Sequence, residues 1–194
     1  MIAITGLSHI SVNVDDIDAA LAYYQSLLGA EPLQIFPNFR NEGFARSAGF
    51  GDSWDQTDVS IAFMELPSNA LTLELMQYHS PEGQVLDHDL SPTDRRRVAH
   101  IALKVTGIDA AFAHVRAQPG TRMISNAPDY RPERISPMTP SDFRFFDPAA
   151  EADAAQKQAT AEIVSNIRFF YFVDRYGIQW ECEEGHHDIG DPTG

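Results

Sequence analysis

Near the start of the chain apolar and polar residues alternate. Ile10, Val12 and Val14 share one face, while His9, Ser11 and Asn13 share the other, which is the period of a half-buried strand. The period then lengthens. Asp15 or Asp16 offers a cap, apolar residues recur at Ile17, Leu21, Tyr24 and Leu28, and Gly29 follows, so a helix is predicted there. Further strands are expected at Leu33–Phe39, Val59–Leu66 and Leu71–Gln77.

The same succession returns later. Ile101, Leu103 and Val105 oppose His100, Ala102 and Lys104, and each first strand leads through a polar turn into an Ile-Asp-Ala-Ala step (Ile17–Ala20, Ile108–Ala111). The second helix should run from about Ile108 to Arg116 and stop before Pro119-Gly120. Strands are expected at Arg122–Ser125, Ile167–Val173 and Gly177–Glu183. The expected fold is therefore α+β: two repeated βαβββ modules, residues 1–79 and 98–194, joined by a Pro-, Gly-, Asp- and Ser-rich linker over 80–97. If the modules curl into one cupped mixed sheet, its polar faces would line a metal cleft.

The modules differ in length. His9 and Glu74 are 65 positions apart, His100 and Glu181 are 81 apart, and the excess lies in an insertion at about 127–166. Its five prolines (Pro128, Pro132, Pro137, Pro140 and Pro148) predict a loop over its first part, and an Ala-rich stretch within 147–164 favours helix. Such an insertion beside a cleft is either a lid or a neutral surface elaboration.

Charge and composition narrow the partners. With 28 acidic residues against 14 basic ones, the net charge of −14 repels nucleic acid and anionic membranes. The basic run Arg95-Arg96-Arg97 reads as a solvated turn, with an anion clamp as the alternative. No apolar run approaches the roughly 18 residues of a membrane span, and no basic segment precedes the first apolar stretch as in a signal peptide. Cys182 is the only cysteine, so an internal disulfide is impossible; a reducing, cytoplasmic setting and a packed small apolar side chain are expected.

The chemistry is expected at His9, Glu74, His100 and Glu181. The repeat puts the two histidines at related positions on first strands and the two glutamates at related positions on last strands. Two imidazoles and two carboxylates suit a divalent metal (Zn, Ni, Co, Mn or Fe), and four protein ligands on a six-coordinate ion leave two positions for water or substrate oxygens. Glu183 and Glu184 compete for the last position, but the repeat alignment favours Glu181. Asp55 and Asp58 are alternative bases, though they read first as solvated turn carboxylates. The aromatics Phe36, Phe39, Phe44, Phe50, Trp54, Phe143, Phe145 and Phe146 serve either an apolar pocket or ordinary packing. No Ser-His-Asp or Cys-His signature is visible along the chain.

The segments Gly6–Ile10, Ala22–Gly29, Leu73-Glu74-Leu75, Val98–Ala102 and Phe172–Gly177 leading to Glu181 resemble the vicinal oxygen chelate superfamily, which includes glyoxalase I and methylmalonyl-CoA epimerase. The resemblance covers about residues 5–125 and 166–184. It implies paired βαβββ modules, a homodimer, and a metal-dependent isomerase, epimerase or lyase acting on a small-molecule carbonyl substrate. A proton would be moved next to the carbonyl by Glu74 or Glu181, with the resulting enediolate stabilised by the cation. The stretches Val59–Leu66 with Leu71–Leu75, and Ser80–Gly83 leading to His100, are similar to the epimerase branch. Glu74 replaces the Gln usual there, which brings the ligand set nearer glyoxalase I. The insertion at 127–166 departs from both branches. Two rival readings are a non-haem iron extradiol-type dioxygenase, which normally needs second-module Tyr and His partners (His114 reads as exposed on a helix), and a metal-free drug-binding protein, which would lack the ligands.

Overall fold

The computed structural model describes residues 7–84 and 98–185, so Arg95–Arg97 lie outside the described residues. The chain divides into two compact units between residues 91 and 92.

The first unit contains β1 (Ile10–Asn13), α1 (Ile17–Leu28), β2 (Glu31–Phe39), α2 (Glu42–Ser47), β3 (Asp58–Glu65) and β4 (Thr72–Ser80). Its sheet has the order β1-β4-β3-β2, with β1 parallel to β4 and the other neighbours antiparallel. α1 begins and ends as its flanking residues require. The Asp16 carboxylate accepts from the Ala19 amide, and Gly29 closes the helix at φ 66°, which a side chain would strain. Its apolar stripe (Ile17, Ala20, Tyr23, Tyr24, Leu27) is buried, as are Leu73 and Leu75 on β4. The Gln77 side chain ties helix to sheet, accepting from the Ile17 amide and donating to the Asp15 carbonyl.

On the opposite face of this sheet the expected polar lining is half replaced by core. Val59, Ile61 and Met76 form a buried cluster against Phe39, Phe44, Phe63 and Tyr78. Phe44 comes from α2, an element that the strand-by-strand pattern leaves unassigned, and Phe50, just before the 3-10 turn Gly51–Gln56, meets Tyr78. The chain between β2 and β3 thus folds back and covers one end of that face.

The second unit contains β5 (Ile101–Lys104), α3 (Ile108–Ala117), β6 (Arg122–Met123), β7 (Glu133–Arg134), α4 (Pro148–Ala152), α5 (Ala154–Asn166), β8 (Arg168–Val173) and β9 (Gln179–Glu184). The order is β5-β9-β8-β6, with β7 also on β8 and β5 parallel to β9. The repeat of strand, helix and three-strand meander is therefore real. Its third member differs from the expected Arg122–Ser125 strand: it is broken into two short pieces. Between them the Tyr130 hydroxyl accepts from the Tyr171 amide (2.8 Å) and donates to the Tyr171 carbonyl (3.2 Å), satisfying backbone groups where the ladder lapses.

The Ala-rich part of the insertion is helical as expected, but in two pieces. Asp153 ends α4 and caps α5, accepting from the Ala155 and Gln156 amides. The hairpin from β8 to β9 turns on buried Asp174, whose carboxylate accepts from the Tyr176 and Ile178 amides and from Trp180 Nε1 (2.9 Å each). Trp180, Phe170 and Phe172 form the core of this unit. Among the described residues no helix is long and apolar enough to cross a membrane.

Candidate functional site

Strand register places the predicted ligands. In the first sheet Ser11 pairs with Glu74, and in the second Ala102 pairs with Glu181. His9 and His100 lie two residues before Ser11 and Ala102, at the entry to β1 and β5, so each histidine comes next to its glutamate at the end of a parallel pair. The separations agree with that register: His9 Nε2 is 3.4 Å from Glu74 Oε2, and His100 Nε2 is 2.9 Å from Glu181 Oε2. Both imidazoles are about one-third exposed, at 37% and 35%, and the carboxylates are largely covered, at 15% and 11%. Carboxylates this sheltered need partners, and in each pair the imidazole nitrogen lies within ion-pair distance of the carboxylate oxygen.

Two ligands bonded at roughly 2.1 Å and at right angles to one ion stand about 3.0 Å apart. The two observed separations lie on either side of that value, so each pair fits two adjacent positions around a divalent cation. Neither unit supplies more by itself. Among the described residues no group of three His, Cys, Asp or Glu side chains is gathered at one point.

Each pair also has an aromatic wall, which the sequence pattern did not single out. Phe63 is the register partner of Glu74 and meets the His9 ring edge-on at 5.9 Å; Tyr171 is the partner of Glu181 and meets His100 at 5.3 Å. The signal was available in the repeat, because these aromatics precede their glutamates by 11 and 10 residues. The difference between them is chemical. Tyr171 hydrogen-bonds the Glu181 carboxylate, and burial, then that negative charge, pushes its hydroxyl up to about 12. Burial, then Glu74, likewise raises the Tyr78 hydroxyl. Tyr171 is therefore a neutral donor at physiological pH.

The alternative candidates separate from these pairs. Glu184 accepts from the Gly107 amide at the start of α3, and Glu183 is half-buried. Asp55 is exposed in the 3-10 turn. Asp58 is not the solvated turn carboxylate expected of it. It is buried, and Arg40 donates to it from Nε (3.1 Å) and Nη2 (2.6 Å), holding its carboxyl below the usual carboxylate range. A Ser-His contact does exist, with Ser60 Oγ 2.8 Å from His79 Nε2. It joins adjacent strands, which hid it from a linear reading, and both residues lie on the face of β3 and β4 opposite Glu74. His114 is exposed on α3. Cys182 is buried, and desolvation pushes its thiol up to about 12, so it behaves as packing. Among the aromatics, Phe39 and Phe44 pack against the first core cluster, whereas Phe36 and Phe146 remain exposed.

Several known proteins are similar. A curated relative, a 2-epi-5-epi-valiolone epimerase from Actinomyces sp., is 26% identical over 119 residues, 61% of this chain and 61% of that protein's length. A glyoxalase family protein from Bacillus cereus superposes with TM-score 0.62 at 17% identity, covering 95% of this chain and 97% of that one. A glyoxylase/bleomycin resistance protein/dioxygenase domain from Frankia sp. EAN1pec gives 0.52 at 15% identity, with 95% of each chain covered. The fosfomycin resistance protein FosX from Listeria monocytogenes, in a structure with Mn(II) and sulfate, gives 0.50 at 17% identity, again with 95% of each covered. Residues 6–150 match the family model named Glyoxalase/Bleomycin resistance protein/Dioxygenase superfamily, and with the repeated fold this establishes that the chain belongs to that superfamily, the vicinal oxygen chelate proteins.

Proposed function

We propose that this protein is a divalent-metal-dependent enzyme, an isomerase, epimerase or lyase, that moves a proton next to a carbonyl of a small molecule. The observation behind this reading is the duplicated histidine–glutamate pair: a histidine just before the first strand and a glutamate on the last strand of each unit, at the same register offset. His9, Glu74, His100 and Glu181 would together hold one ion. Bound there, a divalent cation supplies Lewis-acid stabilisation for the negative charge that develops on a carbonyl oxygen when the neighbouring carbon loses its proton.

The residues of the chain do the rest. Glu181 is the favoured base, because Tyr171 fixes its carboxylate with a hydrogen bond and remains protonated throughout the physiological range. Glu74 faces only the Phe63 ring at the equivalent position and is the second candidate, required if the proton returns to the opposite face. The curated relative's name, 2-epi-5-epi-valiolone epimerase, favours epimerisation, so that compound is the first substrate to try. Manganese is the first ion to supply, since the FosX structure holds Mn(II).

Metal analysis of purified protein, followed by solvent deuterium exchange, tests the reading. One ion per chain is expected, together with deuterium incorporation into 2-epi-5-epi-valiolone, another α-hydroxy ketone, a hemithioacetal or an acyl-CoA ester. Two ions per chain would mean that each pair acts alone. Oxygen uptake with a catechol, or tight ligand binding with neither metal nor turnover, would replace the proposal.

A further inference from the structure

A hollow in the second unit is lined by none of the histidine–glutamate pair residues. In the second unit, the last turn of α3 and the chain from Thr121 to Tyr130 line an open hollow of about 500 Å³, within the size range of small-molecule sites. His100, Tyr171 and Glu181 are not among its lining residues. Arg116 and Arg122 are.

These two arginines are unlike the others. Of the nine arginines among the described residues, five bond a carboxylate or amide oxygen, as Arg168 does with Asp109, and Arg144 and Arg175 lie over aromatic rings. Arg116 and Arg122 alone have no side-chain hydrogen bond, ion pair or ring contact among the described residues. Acidic residues outnumber basic ones two to one in this chain, 28 to 14, yet no Asp or Glu lines the cavity. A guanidinium is a fork of donors built for an oxyanion. Here two such forks share one cavity, with no carboxylate there to neutralise them.

The rest of the lining suits the body of a small organic molecule. Phe112 and Tyr130 supply an apolar wall that cannot easily collapse. Phe112 is braced edge-on by Phe170 at 5.2 Å, and the Tyr130 hydroxyl is tied to the Tyr171 backbone. Ser125 and Asn126 add polar groups to the lining.

We propose that the cavity between α3 and residues 121–130 binds a small organic oxyanion, a phosphate ester or a carboxylate, with its charged end on Arg116 and Arg122 and its apolar part against Phe112 and Tyr130. This site is independent of the metal-dependent reaction proposed above.

Calorimetric titration of the full-length chain with phenyl phosphate, benzoate and inorganic phosphate tests it. Saturable binding of phenyl phosphate or benzoate is expected, and the tighter of the two identifies the oxyanion. Inorganic phosphate should bind more weakly, lacking the apolar part. Because Arg116 and Arg122 are exposed, Arg116→Gln and Arg122→Gln should fold normally, and each should weaken binding by roughly tenfold, as expected for one lost charge-assisted hydrogen-bonding group. Glu181→Gln should leave this binding unchanged. Absence of saturable binding by both organic probes, or binding that falls with Glu181→Gln but not with the arginine variants, would overturn the proposal.

Discussion

Tyr171 and Phe63 occupy equivalent register positions, yet only one carries a hydroxyl, so the proposed roles of the two glutamates can be tested separately. Tyr171→Phe keeps the ring against His100 and removes the donor to Glu181. A lost hydrogen bond to a charged group predicts a fall in kcat of about tenfold to a hundredfold with metal content unchanged, read by turnover alongside metal analysis. An unchanged kcat would remove Tyr171 from the mechanism. Asp174 has a structural role that can be separated from catalysis. Asp174→Ala would leave the buried Trp180 indole N–H without its acceptor and the hairpin amides without theirs. The expected cost is at least the roughly 1–3 kcal/mol of one unsatisfied buried donor, measured by denaturant unfolding. At this scale the pairing of His9 with Glu74 and of His100 with Glu181 was legible because the repeat marks each position twice. Tyr171 was hidden because an aromatic in a strand reads first as packing, and only the cross-strand register puts its hydroxyl beside a carboxylate. The Ser60–His79 and Arg40–Asp58 contacts were hidden for the same reason.

Strands and helices followed their periodicity closely where the local signal was unopposed. α1 has its Asp cap and its Gly stop, and β8 and β9 lie within a residue or two of expectation. The sequence reading fell short where a short element depends on tertiary contact. α2 exists because Phe44 has a cluster to pack against, and β6 and β7 pair only as far as Tyr130 allows. The split of the insertion's helix follows from Asp153, whose preference for capping outweighs the Ala-rich run around it. At the start of β3, the Arg40–Asp58 pair ties β2 to β3. Because Arg40 lowers the folded-state value of the Asp58 carboxyl, the folded chain releases that proton more readily than the unfolded chain. Its stabilisation is complete above the unfolded value of about 3.9 and disappears as pH falls through the lower folded value. Thermal melts across this acidic range should show a shallower decline in Tm for Asp58→Asn than for the parent protein. Parallel declines would mean that the pair contributes nothing.

The two units are each built around a core of their own, and an ion held by ligands from both would make their stabilities interdependent. Binding to the native state alone stabilises it by roughly 2.7 kcal/mol when free metal is a hundredfold above its Kd. If His9, Glu74, His100 and Glu181 share one ion, Glu74→Gln should raise the Kd seen by the whole chain. Most of the metal-induced gain in Tm would then vanish, including the gain reported by Trp180, which lies in the other unit. If each pair held its own ion, the same substitution would remove the gain only from the first unit and leave the Trp180 signal responsive to metal. Melting followed by Trp180 fluorescence in a Trp54→Phe background, with and without Mn(II), separates these outcomes. Trp54 is partly exposed in the 3-10 turn, so its replacement should cost little. The result bears directly on mechanism. A shared ion would bring Glu181, with its tyrosine register partner, and Glu74, with a phenylalanine there, to the same substrate, and this is the condition under which the proposed proton transfer could take a proton from one face of a carbon and return it to the other.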